Sequence, residues 1–87
     1  MKDPFMLDKF ATDEVLHSTL TRLRGKYSVL AVMENVNKVP NQGNIEKWNK
    51  RGKEISQVMD DMIAASVELK KSAIKIYSKE LRLLNGY

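Results

Sequence analysis

Apolar or small residues recur in alternating steps of three and four along the carboxyl half of the chain. They stand at Ile45, Trp48, Gly52, Ile55, Met59, Met62, Leu69, Ala73, Ile76 and Leu83, with Ser66 and Glu80 as the polar interruptions. That spacing predicts one amphipathic helix over about 45–84, with a seam like that of a coiled coil. The amino half carries a matching seam at Leu16, Leu20, Leu23, Tyr27 and Leu30, which predicts a helix over about 4–37. Turn formers cluster in Val39-Pro40-Asn41-Gln42-Gly43-Asn44, so a turn over 38–44 is expected between the helices. Pro40 pushes Val39 out of the helical region, Asn44 is the expected cap of the second helix, and Asn85-Gly86 is its stop. Two starts suit the first helix, Asp3-Pro4 and Thr12 before Asp13-Glu14.

The fold expected is therefore all-α, a single domain over 1–87 built as an antiparallel two-helix hairpin with a Pro/Asn/Gly turn. Pairing through that turn sets a register in which facing residue numbers sum to about 82, so Leu30 faces Gly52, Tyr27 faces Ile55 and Leu20 faces Met62. Gly52 would permit a close approach of the helices. The same register places Phe10 near Ala73 and Met6 near Ile76, and offers Lys2 as a partner for Glu80.

A second apolar stripe, Ile63, Val67, Ile74, Tyr77, Leu81 and Leu84, is rotated away from the first, with Lys70 as its polar exception. One facing helix covers a single narrow face, so this stripe is expected to bind a partner or a second copy. Val29, Val32 and Val36, with Trp48 close to the turn, widen the apolar surface at the other end and join the candidate partner-binding residues. The hairpin is thus expected to be completed to a four-helix or larger bundle, as a homo-oligomer or as a heterodimer with another helical protein.

Composition narrows the chemistry. The chain has 87 residues, no Cys and one His, which removes disulfides, thiolate metal sites, a cysteine nucleophile and a histidine metal cluster. His17 near Asp13 reads as a solvated or capping residue. Asp60 and Asp61 diverge around a helix and form no acid/base pair. No Gly-rich phosphate loop or Ser/His/Asp arrangement is present, so no enzyme activity, metal or cofactor is expected.

Net charge is +4 and the sequence pI about 9.4. Lys71, Lys75, Lys79 and Arg82 gather near one face, but Glu46, Glu54, Asp60, Asp61 and Glu68 interleave with the basic residues of the second helix. A solvated face is expected over a nucleic-acid site. No apolar run approaches the ~18–20 residues of a membrane span, and no cleavable secretory signal stands at Met1-Lys2-Asp3-Pro4-Phe5. The chain is expected in the cytoplasm or exported without such a signal.

With Glu46-Lys47-Trp48 followed by Ile55, Met59, Met62, Leu69 and Tyr77, the outline resembles the Trp-x-Gly-motif family, the early-secreted-antigen-like helical hairpins of type VII secretion. Its turn carries Pro40-Asn41-Gln42-Gly43 in place of Trp-x-Gly, and Tyr77 is followed by an acid three residues on, at Glu80, not four. The resemblance implies a secretion substrate, adaptor or chaperone. The chain also resembles the needle subunits of type III secretion, hairpins with a Pro/Asn turn, which implies a polymerising structural subunit.

Overall fold

A computed structural model describes the backbone of residues 4–85 and the side chains of residues 11–85. Three helices follow in order, α1 over Pro4–Asn35, α2 over Gln42–Asp61 and α3 over Val67–Leu84. The fold is all-helical, as the periodicity predicts. The single long second helix expected over 45–84 is instead two, because the chain leaves the helix at Met62 and restarts at Val67.

Local chemistry explains the break. Met62, Ile63 and Ala65 wind down through amide bonds to Val58, Asp60 and Met62, the last two of the tighter i→i−3 kind. Ser66 then adopts extended backbone (φ −67°, ψ 160°), and its hydroxyl accepts from the Leu69 amide at 3.2 Å. Ser66 is thus the N-cap of α3, with Glu68 at the positive end of that helix, and not a polar gap in a continuous seam. No glycine or proline marks the reversal.

At the first turn the cap is Asn41, one residue before Gln42. Its side chain accepts from the Asn44 amide at 3.0 Å, so Asn44 is the capped residue and not the cap. Glu34 ties the two sides of this turn, accepting from the Asn37 side chain at 2.5 Å and from the Asn41 amide at 3.2 Å. These bonds end α1 at Asn35, two residues before the expected stop. Of the two expected starts of α1, the helix takes Pro4; Asp3, Lys2 and Gly86 lie outside the described residues, as do the side chains of Met6 and Phe10.

α1 is the common support. α2 runs antiparallel to it, with Arg24 near Ser56 and Tyr27 near Gly52, so facing numbers sum to about 80, close to the register expected from the turn. α3 reverses again and runs parallel to α1, since Lys70 meets Asp13 and Glu80 meets Tyr27. Both α2 and α3 pack along α1, whereas no Cα of α2 lies within 8 Å of one of α3. The buried core consists of Leu16, Leu20, Leu23, Tyr27 and Leu30 from α1, Ile55 from α2, and Ala73 and Leu84 from α3. Ala73 and Ile76 accordingly sit beside the middle of α1, not beside its first turns.

Gly52 does not serve a close approach. A methyl group added there would sit 4.0 Å from the Tyr27 Cβ, an ordinary contact, and one added at Gly25 would meet nothing within 4 Å. Both glycines have helical φ below zero. Gly25→Ala and Gly52→Ala should each stabilise the fold by about 0.5–1 kcal/mol through helix propensity, read as a rise in thermal midpoint. Ser66→Ala should cost about 1 kcal/mol by uncapping α3, and a neutral effect in denaturant titration would refute the capping role.

Candidate interaction surface

Glu80 sits at the meeting point of the three helices. Arg51 of α2 grips it with two parallel bonds, Nε to Oε2 at 3.0 Å and Nη2 to Oε1 at 2.5 Å. The Tyr27 hydroxyl of α1 donates to the same Oε2. Arg51 also lies over the Tyr77 ring, 5.9 Å from its centre, and reaches Glu54 at 3.4 Å. Glu80 is therefore a part-buried tie between all three helices, with Arg51 and Tyr27 in the place expected of Lys2.

The electrostatics follow from this packing. Burial pushes the Glu80 carboxyl up, but the hydrogen bonds from Arg51 and Tyr27 outweigh it and hold the group below the usual carboxylate range. Burial, then the bond to Glu80, pushes Tyr27 up to about 12. The Glu80 bond raises Arg51 further still above its ordinary value, against the opposing effect of burial. A second tie joins α3 to α1 near the other end, where Lys70 donates to Asp13 at 2.8 Å with its own side chain only 12% exposed. Lys70, the polar exception in the second stripe, is thereby accounted for.

The candidate partner-binding residues divide into two sets. Val29, Val32, Val36 and Ile63 are exposed. Leu84 is buried, and Ile74, Tyr77 and Leu81 pack against the core, as does half-buried Trp48; Val67 is half-buried. Ile74, Tyr77, Leu81 and Leu84 thus form the face that α3 lays on α1, and their assignment to a partner is corrected: folding back at Ser66 supplies the cover that a straight rod lacks.

The same rotation exposes residues expected in the seam. Leu69, Ile76 and Leu83 stand 51%, 63% and 69% exposed, seven residues apart on one side of α3. Val15, Met33 and Val39 are further exposed apolar side chains. Heptad spacing marked the α3 trio as one face, but nothing in the spacing said whether that face or its neighbour met α1.

Chemistry is sparse around these surfaces. A hollow of about 200 Å³ is lined by Asp13, His17, Met59, Met62, Ile63 and Lys70 among others, and an open groove of about 510 Å³ by Tyr27, Trp48, Arg51, Glu54, Glu80 and Leu84 among others. No group of three His, Cys, Asp or Glu among the described residues is placed to hold a metal ion. No helix among them is long and apolar enough to cross a membrane. Comparison with protein-family models, curated proteins and solved structures finds no match to this chain.

The tie at Glu80 makes stability depend on pH at both extremes. Glu80 has a lowered pKa in the fold, so its contribution is present above its unfolded value near 4.5 and is lost as pH falls through the lower folded value. Tyr27 has a raised pKa, so its contribution is present below 10 and fades as pH rises towards about 12. Tyr27→Phe should flatten the alkaline limb of a stability–pH profile, and Glu80→Gln the acid limb. A double-mutant cycle on Arg51 and Glu80 at neutral pH should return a coupling of about 1–2 kcal/mol, between exposed and fully buried ion pairs. Coupling near zero would reduce the tie to a surface contact.

Proposed function

We propose that this protein is a non-enzymatic interaction subunit, a small helical bundle that works by assembling through apolar surface with a second copy or with another helical protein. The observation that carries this is the exposure of large hydrophobic side chains after the bundle has closed. Leu69, Ile76 and Leu83 stay uncovered on α3, and Val29, Val32, Met33 and Val36 on and just beyond the end of α1. Scattered exposed hydrophobics are ordinary, but rows at helical spacing, rimmed by charge, mark association surfaces.

Support for phosphate binding is weaker. Two of the basic residues of α2 and α3, Arg51 and Lys70, are engaged in ion pairs with Glu80, Glu54 and Asp13. The secretion roles implied by the family resemblances rest on the sequence outline alone, and we confine the proposal to interaction.

Light scattering and sedimentation across concentration provide the test. The mass should rise above the 10.0 kDa of the single chain as concentration climbs through the ~10–500 μM range, the regime of modest association free energies. Alternatively, a fixed complex with a helical partner should form and protect the same side chains. A chain that stays at 10.0 kDa throughout, binds no apolar dye and takes up no partner would refute the proposal.

A further inference from the structure

We infer that the turn end of the bundle, the last two turns of α1 together with the turn into α2, is a docking site for an anionic lipid surface. This goes beyond the interaction reading, since it gives that end an occupant of a different class and leaves the α3 row to protein.

Two independent observations meet at the turn end, and the first is apolar exposure. Val29, Val32, Met33 and Val36 follow at the i, i+3, i+4, i+7 spacing of one helix face. The Val36 amide still bonds to the Val32 carbonyl at 3.2 Å, so Val36 keeps the helical phase past Asn35. These four stand 50–75% exposed, turned away from the buried row of Leu20, Leu23, Tyr27 and Leu30, and Val39 beyond them is 86% exposed. Leu83 of α3, also exposed, reaches the same level because Glu80 meets Tyr27. Polar groups at the turn are already satisfied: Glu34 accepts from the Asn37 side chain and the Asn41 amide, and Asn41 accepts from the Asn44 amide. Withdrawing this end from water therefore leaves those groups paired.

The second observation is charge. The contacts of Tyr27 with Gly52 and Glu80, of Arg24 with Ser56 and of Asp13 with Lys70 set the levels of the three helices. A cut across the bundle at about Thr21 passes before Asp60 of α2 and between Lys75 and Lys79 of α3. On the turn side lie ten cations: Arg22, Arg24 and Lys26 from α1, Lys38 in the turn, four from α2 between Lys47 and Lys53, and Lys79 and Arg82 from α3. Four acids share that half, Glu34, Glu46, Glu54 and Glu80. Among the described residues Arg51 alone of the ten takes part in an ion pair. The other half reverses the balance, with Asp13, Glu14, Asp60, Asp61 and Glu68 against Lys70, Lys71 and Lys75. The bundle is 57 Å long, and with a Debye length of ~8 Å the acidic half is screened from anything that meets the basic end.

Apolar exposure and positive charge at one place select the occupant. A nucleic acid would use the charge and leave five apolar side chains of the α1 end in water. An anionic lipid interface uses both, and a plane meets the convex end of a rod without a matched shape. The spacing along α1 fits an end-on entry. Arg22 and Lys26 lie on the same stripe as Val29, Met33 and Val36 and share an open hollow with Val29. Lys26 stands about 5 Å behind Val29 and about 10 Å behind Met33 along the axis. An apolar face that enters the headgroup boundary by ~5–10 Å therefore leaves Lys26 and Arg22 among the headgroups, where their stems can extend toward phosphate. No helix among the described residues is long and apolar enough to cross a membrane, so the docking is peripheral.

The absence of cysteine from the chain makes a clean experiment. The full-length Val36→Cys protein, carrying an environment-sensitive fluorophore, is titrated with vesicles of phosphatidylcholine alone and of phosphatidylcholine mixed with phosphatidylserine. The label should shift to the blue and brighten on the mixed vesicles, and the response should fall as salt is raised. The same label on Ile63→Cys, exposed at the reversal between α2 and α3, should not respond. In co-sedimentation, Val36→Glu should keep its helical circular dichroism and bind mixed vesicles about tenfold or more weakly. Lys38→Glu and Lys47→Glu should each weaken binding by about tenfold. Equal binding to phosphatidylcholine alone would overturn the inference. So would anionic binding unmoved by Val36→Glu, which would mark a site for polyanions in general, nucleic acid included. Absence of vesicle binding, with the Val36 label shifted instead by a helical protein, would return this end to the interaction reading, which the mass measurements test separately.

Discussion

A carboxylate in an apolar face needs a partner, and Glu80 fixes the arrangement of the bundle by taking one from each neighbouring helix. α2 and α3 make no close backbone approach to each other, so the link between them runs through side chains. Arg51 supplies a planar donor that satisfies both carboxylate oxygens at once, and Tyr27 brings the third bond from the helix on which both others rest. Removing either oxygen's donor would leave charge desolvated, whereas replacing the whole cluster with apolar groups of similar size could be nearly neutral. Its value therefore lies as much in fixing how α3 is rotated as in stability. With Glu80 turned to α2, Ala73, Tyr77 and Leu84 must turn to α1, and Ile76 and Leu83 must turn outward.

Small size makes that rotation consequential. A chain of 87 residues buries a modest share of its surface, and two straight rods would bury less still. Doubling back at Met62–Ser66 lets one helix serve as support for two, and adds Ala73 and Leu84 to a core otherwise built from α1 and Ile55. The reversal costs several residues of helix and one uncovered apolar side chain, Ile63. Against that it covers Ile74, Tyr77 and Leu81, each of which contributes on the order of 1 kcal/mol or more when half withdrawn from water.

The helical class and the α1/α2 pairing were legible because they rest on periodicity and on a turn with strong local chemistry. Pro40 and its flanking asparagines have few alternative conformations, so the register read from them lands within about two residues of the one observed. The second reversal was not legible. Ser66 occupies a position where a polar residue reads equally well as a gap in a seam, and Asp61-Met62-Ile63-Ala64-Ala65 holds only residues that a helix accepts. What breaks the helix there is the gain from covering a second stripe, a long-range effect that no local window contains. Glu80 is a similar case: its place in the seam was visible, while its partners lie 29 and 53 residues away in the chain.

The exposed surface differs from the expected one for the same reason. α3 carries apolar side chains around more than half its circumference, from Val67 and Ile74 through Tyr77 to Ile76 and Leu83, and a single supporting helix covers about a third of such a face. Some apolar row had to stay exposed whichever way the helix turned. Sequence spacing identified the excess but assigned it to Ile74, Tyr77 and Leu81. The requirement that Glu80 reach Arg51 assigns it to Leu69, Ile76 and Leu83. An internal ion pair thus selects which surface the protein offers outward.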